Sequence, residues 1–408
     1  MLARPSAHYV CASCLVRLRQ TRKLSSAQRN LPTLPPPSGA ARLDNRRLIS
    51  LHGPDASKFL QGIITNNVRS DSRAGFYAAF LTAQGKVIND VFVYPTNGSK
   101  SGREGLEADD PGFLVEVDAN EAESLFKHVK RHKLRAKLEI RLLDAEEMGV
   151  WAVWREQEKW TPHEATFGEL STAESNNLSG SPGILSLIDS RAPGMGRRIL
   201  LPPTSSHASP VVAVPGYQGL ETCPMSAYIL RRYLRGVPEG QTEIPRDSAF
   251  PLNSNIDVMG GIDFRKGCYI GQELTIRTHH TGVVRKRILP VALYESGKLA
   301  PERLEYDSET NVTLPVEDSD IVKEGKRGRA AGKWIAGIGN IGLAMCRLEM
   351  MTDLVVTAEG SSFDAADRFI IKNQSTAGDN GEDIGIKAFV PDWLKGKIKA
   401  PKVQKRVE

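Results

Sequence analysis

Past Pro290 the texture of this chain changes. Short apolar runs spaced by Gly, Pro and Asp recur at Val291–Tyr294, Val312–Leu314, Gly332–Ile335, Ile341–Arg347, Leu354–Ala358 and Phe369–Ile371. Runs of that length between turn formers are strands, and a succession of them predicts a separate small β-barrel or sandwich. Upstream, strand and helix patterns are mixed. With 408 residues the chain is too long for one ordinary core, so two or three domains are expected. Its 40% hydrophobic and 25% charged residues suit a globular protein. No run reaches the roughly 18 consecutive apolar residues that a transmembrane helix needs.

The first 43 residues hold no Asp or Glu, while Arg4, Arg17, Arg19, Arg22, Lys23, Arg29 and Arg42 are cationic. That composition is a mitochondrial presequence rather than a secretory signal, which needs a continuous apolar core. Residues 31–39, with four prolines, read as an extended leader. Of five cysteines, Cys11 and Cys14 fall in the presequence and have no second pair. Cys223, Cys268 and Cys346 are widely spaced and give neither a disulfide framework nor a zinc pattern, as expected in a reducing compartment such as the mitochondrial matrix. No metal site is expected. The net charge of +6 would suit nucleic acid, anionic lipid or an anionic small molecule.

Between the leader and Pro290, Arg47–Leu51 is a strand and Asp55 caps a helix with Ala56, Phe59, Leu60, Ile63 and Ile64 on one side. Tyr77–Leu81 and Val87–Tyr94, joined at Gln84-Gly85-Lys86, form a hairpin. Residues 97–112 are a surface loop and Phe113–Val117 a strand. Asp118–His132 is a helix with Leu125, Phe126 and Val129 inward; its basic face lacks the interleaved aromatics of an RNA binder and reads as solvated. Further strands are expected at Leu138–Leu143, Val150–Trp154, Ile184–Asp189 and Arg198–Leu201, with an insertion at 155–183. A helix over Pro224–Arg235 stops at Gly236, and of its successive Arg231 and Arg232 one would face a ligand and the other solvent.

The densest chemistry lies in Lys266-Gly267-Cys268-Tyr269-Ile270-Gly271-Gln272-Glu273 and the basic stretch after it. Cys268 beside Lys266 is either a nucleophile or metal ligand, its thiolate stabilised by the ammonium, or a small buried side chain at a tight turn. His279 and His280, if on a strand, face opposite ways and cannot chelate one metal. Gln272 and Glu273 can hydrogen-bond a heterocycle with an amide-like edge such as a pterin. Asp90 could orient a ligand amine, and Arg277, Arg285, Lys286 and Arg287 an anionic tail. Gly337-Ile338-Gly339-Asn340-Ile341-Gly342 matches a dinucleotide fingerprint, but the strands around it leave no room for a βαβ unit, so it reads as a β-turn.

The octapeptide, with Arg277-Thr278-His279-His280 and Arg285-Lys286-Arg287, resembles the hallmark of the folate-binding iron–sulfur cluster assembly factors, relatives of the glycine-cleavage T-protein, the aminomethyltransferase. Gly53-Pro54-Asp55, Gln84-Gly85-Lys86, Asp90, Gly236-Val237-Pro238 and Phe250-Pro251-Leu252 extend the resemblance along most of the chain. It implies an α+β, T-protein-like ring of domains around a central folate-type pocket, with a C-terminal β-barrel. The implied divisions are 1–38 presequence and leader, 39–284 a folate-binding region of two interlocked subdomains, 285–372 the barrel, and 373–408 a basic, partly disordered tail. It further implies maturation of mitochondrial [4Fe–4S] proteins with A-type scaffold proteins, for aconitase and radical-SAM enzymes. Tetrahydrofolate would be held by Asp90, Lys266, Gln272, Glu273 and Arg277, with Cys268 as the chemically active residue and a transient iron–sulfur cluster arriving through partners. The alternative is a folate-dependent aminomethyl transferase. Asn89-Asp90 stands where the transferase relatives carry an aspartate pair, and Asn253 where the family carries a glutamate.

Overall fold

The computed structural model describes residues 31–68, 74–96, 111–156, 184–202, 214, 217–325, 328–358, 360–372 and 382–398. In chain order its elements are β1 (Gly39–Arg42), β2 (Arg46–His52), α1 (Ala56–Ile63), β3 (Phe76–Leu81), β4 (Val87–Pro95), β5 (Gly112–Asp118), α2 (Ala122–Lys133), β6 (Glu139–Leu142), β7 (Gly149–Trp154), β8 (Leu185–Ile188), β9 (Arg197–Leu201) and β10 (Thr222–Cys223). These are followed by α3 (Met225–Arg235), α4 (Gln272–Thr281), β11 (Lys286–Glu295), β12 (Asp320–Lys323), β13 (Gly332–Ile338), β14 (Ile341–Arg347), α5 (Leu348–Met351), β15 (Phe369–Ile371), β16 (Ile384–Ala388) and α6 (Asp392–Lys395).

The strands before Pro290 form two five-stranded sheets, β3-β4-β5-β2-β6 and β10-β1-β7-β9-β8. The first is covered on both faces, so β4 and β5 read as nearly continuous apolar runs rather than alternating ones. Its Ala78, Phe80, Val91 and Val93 face α1 and α2. On the other side Tyr77, Phe92 and Tyr94 share one core with Trp154 and Leu200 of the second sheet and with Ile256, Met259 and Tyr269 from the long segment before α4. Helix α3 joins the parts: Ala227 and Tyr228 enter that core, while Leu230 and Tyr233 pack on Ile288, Ala292 and Leu343 of the barrel.

The barrel closes in the order β11-β14-β13-β12-β15-β16, and two of its expected strands are absent. Val312–Leu314 runs straight into Pro315 and forms no ladder. At Leu354–Ala358 the amides of Val356 and Thr357 donate to the Glu349 carboxylate, 2.9 and 2.6 Å away, in place of a neighbouring strand. Their places in the barrel are taken by β12, which turns only Ile321 inward, and by β16, beyond residue 372, which packs Ile384 and Ile386 into the core. The glycine-rich hexapeptide is the β13-β14 hairpin. Gly339 adopts φ +58, and a Cβ on Gly337 or Gly342 would lie 2.5 or 2.3 Å from the Trp334 ring. The leader lies along the folded body: Pro36 O accepts from the Trp154 indole at 2.9 Å, and β1 pairs with both β7 and β10. The expected loop at 97–112 and the insertion at 155–183 fall largely outside the described residues.

Candidate functional site

The octapeptide wraps the end of α1. A helix leaves its last carbonyls without intrahelical partners, and here Lys266 Nζ donates to Gln61 O, Ile64 O and Asn66 O at 2.8, 2.7 and 2.9 Å. Burial brings the Lys266 ammonium down to about 7, with Asp263 opposing; three carbonyl dipoles hold its proton in place. Ile270 N adds a bond to Gly62 O at 3.2 Å. On the other side Gly271, at φ +82, presses on the β3-β4 turn, where a Cβ would come within 2.2 Å of Thr82 O. Gln272 turns its Oε1 back to the Tyr269 amide, 3.1 Å away, and the Tyr269 ring is buried in the first core.

What this clamped loop displays is Cys268. Its thiol is exposed, between Gly267, with open space around it, and buried Tyr269. The reading of a small buried side chain is therefore overturned, while the Lys266 ammonium is committed to carbonyls rather than to a thiolate. Glu273 and Arg277 are exposed on α4. His279 and His280 lie on the last turn of that helix, not on a strand; His279 stacks on Phe264 with ring centroids 3.5 Å apart and 16° between planes.

Asp90 lies elsewhere, in a buried charged centre that sequence reasoning largely missed. It is fully buried. Its Oδ1 accepts from Gly240 N at 3.0 Å and Gln241 Nε2 at 3.3 Å, and Tyr77 OH lies 3.5 Å from Oδ2. Burial raises its pKa, with Glu239 adding to the rise and Arg46 and Arg191 opposing. Around it, Arg46 Nε meets Glu116 at 2.8 Å, Arg191 grips Asp189 through two bonds of 2.8 and 2.7 Å, and Arg198 bridges Glu116, Glu239 and Tyr228. Arg232 pairs with Glu243 at 2.7 and 2.9 Å, while Arg231 donates to Gly194 O. Arg231 and Arg232 are thus both buried, and the solvent-facing position expected for one of them is not found. Arg191 and Arg198 also stack on Phe92, 4.8 and 4.2 Å from its centroid. The signal available was the run of Arg and Glu between residues 189 and 243; the sequence does not say that all of them point inward.

Tetrahydrofolate can be tested against these residues. Asp90 is sealed and engaged, Lys266 and Gln272 are committed to backbone groups, and Glu273 and Arg277 face outward. The five do not form one pocket, so they do not fit the group. A cleft of about 420 Å³ opens instead between the first sheet and the barrel, lined by Asp118, Gln241, Thr242, Glu317 and Trp334 among others. Gln241 stands between it and Asp90. Of the expected anion-facing cations, Arg287 is buried and held by Asp257 through two bonds of 2.9 Å.

Residues 285–396 match the family model described as the CAF17 C-terminal beta-barrel domain. Over 88% of the chain the fold is similar to that of the glycine cleavage system aminomethyltransferase T from Bartonella henselae, with a TM-score of 0.57 at 12% identity and 86% of that chain covered. In sequence, the chain is 44% identical to the mitochondrial iron-sulfur cluster assembly factor IBA57 homolog of Aspergillus fumigatus, covering 96% of this chain and 91% of the relative. It is 46% identical to the protein of the same description from Pyricularia oryzae, with 96% and 93% covered. With a T-protein-like body, a matching C-terminal barrel and near full-length identity of this order, the chain belongs to the family of mitochondrial iron–sulfur cluster assembly factors.

Proposed function

We propose that the chain acts in the mitochondrial matrix with A-type scaffold proteins in the maturation of [4Fe–4S] proteins such as aconitase and radical-SAM enzymes, and that Cys268 is where a cluster in transit meets the chain. The observation that carries this reading is an exposed thiol on a loop clamped on both sides, by three bonds from Lys266 and by Gly271 on the β3-β4 turn. Iron–sulfur clusters are held by several thiolates. Cys268 has no second cysteine in its loop, so the partner supplies the remaining ligands and the cluster is cargo rather than a resident group.

In cells lacking the chain, the wild-type protein restores aconitase activity while [2Fe–2S] enzymes stay active throughout. Cys268→Ser gives no restoration, and its melting temperature stays at the wild-type value because the thiol is exposed. Asp90→Asn restores aconitase fully, since the amide oxygen still accepts from Gly240 N. Full restoration by Cys268→Ser, or loss of both enzyme classes without the chain, removes the reading. The second reading, folate-dependent aminomethyl transfer, is favoured by the likeness to an aminomethyltransferase, but the carboxylate it would use is closed off. Purified full-length protein given an aminomethyl donor and tetrahydrofolate is expected to show no turnover; turnover that disappears in Asp90→Asn would reinstate it.

A further inference from the structure

The outer face of the barrel gathers cations in excess: Asp320 of β12 lies across from Lys333, and no other described carboxylate is registered against them. Antiparallel β11 and β14 place Lys286 opposite Arg347. On the next strand Lys333 lies opposite Met345, two residues from Arg347 and so on the same face. Arg329, just ahead of β13, joins them: burial and then Arg347, Arg329 and Lys333 lower the Lys286 pKa, and burial and then Arg329 lower that of Arg347. Among the described residues, no acidic one contributes to either. Among the described residues none of the four makes an ion pair. Like charges directly opposite in a sheet are destabilising. The inward-facing neighbour Arg287 is, by contrast, paired with Asp257 through two bonds.

Position gives this face its meaning. The stacking of Phe264 on His279 brings the approach to the Cys268 loop beside the end of α4, and β11 starts at Lys286, a few residues after α4 ends at Thr281. Cys268 is four residues from Phe264, which stacks on the last turn of α4, and Lys286 is five residues past the end of that helix. At about 3.5 Å per residue, each therefore lies within roughly 20 Å of the same helix end. We propose that Lys286, Arg329, Lys333 and Arg347 form the electrostatic docking surface for an acidic, cluster-bearing protein, seated so that its cluster reaches Cys268. This rests on the reading of Cys268 given above. A cluster held by thiolates carries net negative charge, and carboxylates around it on the partner match this face. Trp334, the aromatic next to Lys333 on β13, is buried, so it offers no stacking platform for bases.

The test uses the full-length chain and a cluster-loaded A-type scaffold as probe, with association rates measured at about 50 and about 300 mM salt. Lys333→Glu/Arg347→Glu slows association by about tenfold at low salt and flattens the salt dependence. Lys333→Gln alone, which sets no like charge against Asp320, gives a smaller change in the same direction with an unchanged melting temperature. Lys127→Glu/Lys130→Glu on the basic face of α2 leaves the rate at the wild-type value. A wild-type rate in the barrel variants overturns the proposal. So does an equal loss in the α2 control, or loss of binding to cardiolipin-containing vesicles with scaffold association unaltered. Aconitase restoration separates the two levels: if wild type restores it and the barrel variants associate normally, the docking surface alone fails; if wild type does not restore it, the functional reading fails and this surface with it.

Discussion

Replacing Glu239 by Gln is expected to remove about 3–5 kcal/mol of folding stability, the range found when one partner of a buried ion pair is deleted. Glu239 is buried among Arg191, Arg198 and Arg232, with Arg191 Nη2 at 2.9 Å and Tyr228 OH at 2.7 Å. An amide keeps the shape but removes the countercharge, leaving guanidinium groups in a medium where an unpaired charge is costly. Against a total of about 5–15 kcal/mol for a folded domain, the loss is large enough to unfold a marginal protein. The midpoint of urea unfolding followed by tryptophan fluorescence reads it. As a surface control, Arg141→Ala, breaking a partly exposed pair with Glu147, costs no more than about 1 kcal/mol. A loss of that size for Glu239→Gln would mean that the arginines find other partners.

The same residue sets a pH dependence. Burial by itself raises the Glu239 pKa, but Arg198, Arg191, Arg232 and Arg46 overcome it and hold the carboxyl well below its ordinary 4.5. A depressed acid binds fewer protons folded than unfolded. Its contribution is therefore complete above about 4.5, and it is lost as the pH falls through the folded value. The wild-type chain loses stability steeply in acid, and Glu239→Gln, already lacking the term, shows a shallower slope.

Gly271→Ala is the second large expected effect, at about 2–4 kcal/mol. Part is the left-handed backbone at φ +82, and part the Cβ within 2.2 Å of Thr82 O and 2.7 Å of Leu81 Cβ, a contact that backbone cannot relieve cheaply. Gly267→Ala in the same loop meets nothing within 4 Å and should change stability by no more than about 0.5 kcal/mol. Thermal melts of the two variants side by side decide it. Equal melting temperatures would show that the octapeptide does not seat on the β3-β4 turn.

These contrasts show what could be read from residues in a row. The β3-β4 hairpin, the α2 and α3 helices and the barrel character past Pro290 were legible because each rests on local rules: turn glycines, capping, and periods of 2 or 3.6. The octapeptide was legible as an identifier, yet the roles assigned within it were not. Lys266 and Gln272 looked like ligand groups by type, but unpaired carbonyls at the end of α1 and the Tyr269 amide claim them first. Two histidines drawn on a strand belong to a helix, because Gly271 in a left-handed conformation starts α4 directly after the loop.

By itself the sequence determined a mixed α+β body, a C-terminal barrel and the loop that carries Cys268. Only the tertiary structure decided that Asp90 is sealed within an arginine–carboxylate centre, that Cys268 is the part of its loop left exposed, and that Lys286, Lys333 and Arg347 share one outer face. The physical reason is the same in each case. Charge and residue type are properties of single positions, whereas burial, countercharge and register are set by partners from strands and helices distant in the chain.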